Sequence, residues 1–208
     1  MMSMPIIFGW LATAATAAGY GFYIFSTIRP GGTRPSRMTW FILAALSSLT
    51  AWSYFQLGAS ATFGAALFCA IGSIAVALLS IKYGHGGWEP IDKITLLGVL
   101  VTCAIWYITG SAFVALIAAL VVDFLALLPT MGKILKLPGT EEFFPWLVTV
   151  VGSALNILAL DVTRSNEWTA EMAIYPVYMI FVNGSVLLLI ARPQILRRRT
   201  IHADFPDS

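Results

Sequence analysis

The chain carries little charge. Only 11% of its 208 residues are Asp, Glu, Lys or Arg, against roughly 25% in an ordinary soluble domain. Two histidines and two cysteines are too few to build a zinc, haem or Cys/His catalytic set, so no metal and no cofactor is expected. Cys69 and Cys103 both fall in apolar stretches and read as small packing residues. With 59% hydrophobic residues and a mean hydropathy of +0.84, the chain lacks the polar surface that would keep a domain in water. These shortages exclude a soluble enzyme, a nucleic-acid binder and a disordered scaffold. A polytopic membrane protein is the class that remains.

Seven apolar segments follow one another, at about 6–28, 38–57, 60–81, 93–110, 111–135, 143–163 and 170–191. Each is near the roughly 20 residues that a spanning helix needs. Segments four and five form one apolar run broken only by Gly110 and Ser111, which predicts a tight helical hairpin. The first segment carries small residues at Ala14–Ala18 but no basic residue before Arg29, so it reads as a retained helix, not a cleaved signal peptide.

The cations give the direction. With the N-terminus outside and seven crossings, the inner loops hold Arg29, Arg34, Arg37, Lys82, Lys93, Lys133, Lys136, Arg192, Arg197, Arg198 and Arg199. The outer loops hold only Arg164. This split satisfies the positive-inside rule and supports both the orientation and the count of seven.

The layout also repeats. A shift of 106 residues places Trp40 on Trp146, Ser47 on Ser153 and Leu49 on Leu155. A unit of three helices begins and ends on opposite sides of the membrane, so one extra helix is needed before a second unit can run parallel to the first. Segment four is that linker. The expected organisation is a first three-helix bundle over 1–82, a loop and linker helix over 83–110, a second bundle over 111–192, and a basic inner tail over 193–208.

Three helices, a linker and three helices, with the N-terminus out and the C-terminus in, resembles the SWEET, SemiSWEET and PQ-loop (MtN3) transporter superfamily. At the level of topology the likeness covers nearly the whole chain. Pro129-Thr130, with Lys133 and Lys136 and then Pro145-Trp146, looks like the family's Pro-Gln/Thr signature and its paired helix-start proline. Asn183-Gly184 looks like the Asn by which a repeat's third helix touches substrate. The first half has Tyr23 and Thr39 opposite Pro129 and Pro145, and Ser73 about where Asn183 maps. The resemblance implies alternating access between two triple-helix bundles, with a sugar- or vitamin-like neutral solute as cargo.

Several residues are candidates on their own chemistry. Asp123 lies midway along segment five, where a carboxylate is costly unless it serves a site or a partner. No basic residue lies at similar depth, so it is a candidate proton or cation site or an acceptor for substrate. A structural contact to a neighbouring helix is the competing reading. Asn156, Ser153 and Thr149 share one face of segment six, and Asn183, Met179 and Pro176 share a face of segment seven. These stripes either line a cavity with Asp123 or act as interhelical glue. Ser73 and Trp52 are weaker candidates for ligand contact. Pro129, Pro145 and Pro176 are candidate hinges. Trp10, Trp40, Trp88, Trp146 and Trp168, near helix ends, read as interface anchors. Glu141 and Glu142 read as a solvated helix start.

The leading functional expectation is a small-solute transporter or facilitator in a bacterial inner membrane. Its expected partners are a small-molecule substrate and the lipid bilayer, with a homo-oligomer open to it and no nucleic acid. The alternative is a non-transporting membrane protein with a lipid-contacting or assembly role. A retinal receptor fails because 170–191 contains no lysine. A membrane enzyme lacks paired carboxylates and any His–Glu or Ser–His arrangement.

Overall fold

The structure is a computed structural model. It describes residues 3–84, 86, 90–136, 141–160 and 170–204, without the side chains of 91, 92, 129, 133, 170 and 193–204. Readings that rest on His85, Trp88, Arg164 or Trp168, or on the side chains of Pro129, Lys133, Arg197, Arg198, Arg199 and His202, lie outside the described residues.

Among the described residues, seven α-helices make up the fold: α1 Met4–Ile28, α2 Arg37–Gln56, α3 Phe63–Tyr83, α4 Pro90–Thr109, α5 Ala112–Lys136, α6 Phe143–Leu158 and α7 Ala170–Asp204. Each coincides with a predicted segment. Two ends differ. The described part of α6 stops at Leu158, short of the expected 163, and α7 continues beyond 191 into the basic tail. Among the described residues, four segments are long and apolar enough to cross a membrane: Arg37–Gln56, Phe63–Tyr83, Ala112–Lys136 and Glu171–Arg192. Lys93–Thr109 and Phe143–Leu158 are shorter apolar helices. This is the make-up of a multi-pass integral membrane protein.

The turns follow local chemistry. Gly110 takes φ +61° between α4 and α5, a conformation costly for any residue with a Cβ. Its N–H closes α4 on the Trp106 carbonyl, and the Ser111 hydroxyl accepts the Val114 N–H to open α5. The predicted hairpin is therefore a helix C-cap followed directly by an N-cap. At the opposite ends of α2 and α3, Arg37 donates Nε to the Ser80 carbonyl at 3.1 Å. It joins the Gly84 N–H, which closes α3 on the same carbonyl at 2.8 Å, and brings a cation to the C-terminal end of the α3 dipole.

The helices close a ring. Going round it, α1 packs on α3, α3 on α2, α2 on α5, α5 on α7, α7 on α6, and α6 on α1. The linker α4 stands outside the ring, against α5 and α2. Large apolar side chains face outward, including Trp10, Leu97, Ile108, Phe181 and Leu188. Many of the buried groups are small hydroxyls. Thr13, Thr16, Thr27 and Ser153 each donate to the carbonyl four residues back in their own helix. Such bonds satisfy a hydroxyl without water and let helices approach closely.

One end of the ring is filled. Ala51, Tyr54, Ala66, Ala70, Leu116, Leu160, Met172 and Tyr175 form a buried cluster there. These residues come from the C-terminal part of α2, from α3, from the starts of α5 and α7, and from just after α6. Tyr54 is fully buried, and its hydroxyl donates to the Met172 carbonyl at 2.7 Å.

Candidate functional site

Below that plug the ring encloses a cavity of about 570 Å³, within the usual range of small-molecule sites. All six ring helices contribute to its wall and α4 does not. The lining stops at Thr50, Leu120 and Tyr175 beside the plug. It reaches Arg34, Gly86, Lys136 and Glu141 in the segments at the other end. The cavity thus opens toward one side, the side holding the α1–α2 and α5–α6 connections.

Mid-depth, the wall is polar and aromatic. Asp123 accepts a hydrogen bond from the Tyr178 hydroxyl at 2.6 Å, the length expected of an O–H group donating to a carboxylate. Across from them, Tyr20 Oη lies 2.9 Å from Ser73 Oγ and 3.2 Å from Cys69 Sγ. Tyr20 and Tyr23 both pack on Trp40, with ring centroids 6.4 and 4.9 Å apart. Trp146, Thr149, Met179 and Asn183 complete the far side.

Four of the sequence candidates meet here or at its edge. Asp123, Ser73, Asn183 and Pro145 line the cavity. The Asn183 amide nitrogen is engaged by its own helix, donating to the Met179 carbonyl at 2.7 Å. The stripe of Asp123, Leu127 and Thr130 on α5 also faces inward.

The other candidates lie elsewhere. Trp52 is 48% exposed on the outer face of α2, against Phe55. Its neighbours Ala51, Ser53 and Tyr54 are the buried ones, so the helix turns Trp52 away from the cavity. Asn156 and Ser153 are buried, but they border a small void of about 10 Å³ between α1, α3, α6 and α7, set behind the cavity wall at Tyr20, Cys69, Thr149, Tyr175 and Met179, which line both. That void has room for a single water, enough to serve Asn156 Oδ1, which has no protein hydrogen-bond partner.

The prolines divide too. Pro145 is the third residue of α6, where no N–H has an intrahelical partner. It starts a helix and breaks none, so it is no mid-helix hinge. Pro176 lies inside α7 and borders the small void. The backbone of α5 runs helical through Pro129.

The wall residues missed by sequence reasoning are mostly aromatic: Tyr23, Tyr175, Tyr178, Trp40 and Trp146. Trp40 and Trp146 are cavity residues, not interface anchors. Their equivalence under the 106-residue shift was the available signal. Glu141 is buried at the cavity edge, not solvated. Glu142 is half-exposed and pairs with Arg29 at 3.1 Å. Cys69 lines the wall, while Cys103 is exposed on α4.

No protein-family model matches the chain, no curated protein matches it, and no solved structure matches its fold.

Proposed function

We propose that the protein is a small-solute membrane transporter that works by alternating access between two triple-helix bundles, α1–α3 and α5–α7. The observation that carries this reading is the cavity itself: lined by six helices, polar at mid-depth, plugged at one end and open at the other. A lipid-contacting or assembly protein has no need of such a space.

The packing supports the two-bundle division. Exchanging α1, α2 and α3 for α5, α6 and α7 turns the α1·α6 contact into the α5·α2 contact, and each bundle keeps its third helix in the middle. The 106-residue shift also carries cavity-lining Thr39, Trp40, Leu43, Cys69 and Ser73 onto cavity-lining Pro145, Trp146, Thr149, Tyr175 and Met179. This correspondence supports reading the two bundles as parallel repeats about an axis normal to the membrane. A relation to the SWEET and PQ-loop superfamily rests on this plan and on Pro129-Thr130, Pro145-Trp146 and Asn183.

With seven crossings and the N-terminus out, the open end faces the side rich in cations. The conformation is then inward-open, and the Tyr54 plug is the closed outer gate. Short connections fit a bacterial inner membrane.

The test is counterflow in proteoliposomes, with labelled sugars, nucleosides, vitamins, amino acids and amines. Saturable exchange of at least one solute is expected, and Asn183→Ala should weaken it. No exchange of any solute by well-folded protein would favour the non-transporting alternative.

A further inference from the structure

We propose that the cavity takes a compact organic cation, an alkylammonium or amine without a carboxylate, with Asp123 as counter-ion and aromatic rings as its walls. The proposal deepens the transport reading and rests on it.

The charge balance points this way. Asp123 is at the middle of α5 and faces the cavity. Its one described side-chain partner is the Tyr178 hydroxyl, which supplies a hydrogen bond but no charge. A carboxylate held in a largely apolar bundle is costly without a compensating cation. Among the described residues, Arg34 and Lys136 are the cavity-lining cations, and both belong to its open end. At 1.5 Å per residue, Lys136 is about 20 Å further along α5 than Asp123, and Lys133 about 15 Å. Neither depth matches the carboxylate. A cation entering the cavity supplies the missing charge.

The walls fit the same ligand. Tyr178 touches Asp123, and Tyr20, Tyr175, Trp40 and Trp146 line the same cavity. Aromatic faces attract alkylammonium groups through the ring quadrupole, most strongly where water is excluded. A zwitterionic solute would also need a cationic partner for its own carboxylate at that depth, and the described wall offers none there.

The experiment uses the full chain in liposomes, with choline and tetramethylammonium as probes. The comparison solute is 3,3-dimethylbutan-1-ol, the uncharged carbon isostere of choline. Neutral sugars and nucleosides are run beside them. Binding is followed in parallel by intrinsic fluorescence, because Trp40 and Trp146 line the cavity. Saturable exchange of a probe cation is expected, with preference over the isostere of about tenfold or more. Asp123→Asn should lower cation exchange by at least a similar factor, and Asp123→Glu should keep part of it.

The isostere comparison is made on the wild type and does not depend on any variant folding. Equal handling of choline and its isostere would overturn the proposal. So would exchange of neutral solutes without the cations, or cation exchange indifferent to Asp123→Asn; in these cases the transport reading stands. Silence toward every solute, in exchange and in fluorescence, would remove the transport reading and this one with it.

Discussion

Tyr54→Phe is expected to destabilise the protein by about 1–3 kcal/mol, the cost of leaving a buried carbonyl unpaired. Pro176→Ala is expected to remove most of that cost. Proline has no N–H, so Pro176 leaves the Met172 carbonyl, four residues earlier, without its donor in the helix. The Tyr54 hydroxyl fills that place from α2 at 2.7 Å, and its ring packs 5.1 Å from Tyr175. Alanine at 176 restores the intrahelical donor. In that background the hydroxyl has less to satisfy, and Tyr54→Phe should cost less than about 1 kcal/mol. The pair is thus predicted to be strongly non-additive. Unfolding of the four proteins in detergent measures it, and equal costs of Tyr54→Phe in both backgrounds would refute the account. The same bond ties α2 to α7 across the plug. Its loss should also raise the rate of counterflow if the plug is the outer gate.

Gly9→Leu is expected to be the most damaging single change, at about 3 kcal/mol or more. A Cβ at Gly9 would overlap the backbone carbonyl of Ala61, which cannot rotate aside as a side chain can. Ala61 lies in the turn that leads into α3; along α3 itself, a Cβ at Gly72 would overlap the base of the Tyr20 ring, and one at Gly64 the Thr13 side chain. The two backbones approach as closely as they do because these positions have no side chain. Gly21 is the control. It is exposed on α1, with nothing within 4 Å of a built Cβ. Gly21→Leu should change stability by no more than about 0.5 kcal/mol. Recovery of monodisperse protein after heating would rank them. A Gly9→Leu protein as heat-resistant as the wild type would mean that α1 and α3 do not meet this way.

The hydrophobic run lengths and their breaks located all seven helices, because a run of about 20 apolar residues leaves few other structures available. Gly110 and Ser111 marked the hairpin because a cap is local chemistry. Asp123 stood out because a lone carboxylate in an apolar run is expensive wherever it points. The faces were less legible. In water, an apolar stripe tells the inside of a helix from the outside. In a bilayer both surroundings are apolar, and that signal fades. Trp52 therefore reads like a wall residue and faces outward, while Trp40 and Trp146 read like interface anchors and face the cavity. Asn156 and Ser153 share a helical face with Thr149 and border the small void with it, but of the three only Thr149 also reaches the main cavity.

The sequence by itself determined the number of helices, most of their boundaries and the carboxylate at mid-helix depth, since length, charge and capping are properties of single segments. Only the tertiary structure decided which helices become neighbours. The order α1–α3–α2–α5–α7–α6 around the ring brings Tyr20, Tyr178 and Asp123 to one cavity and sets the Tyr54 hydroxyl on the carbonyl that Pro176 frees. Those pairings depend on contacts between residues far apart in the chain, and no local pattern encodes them.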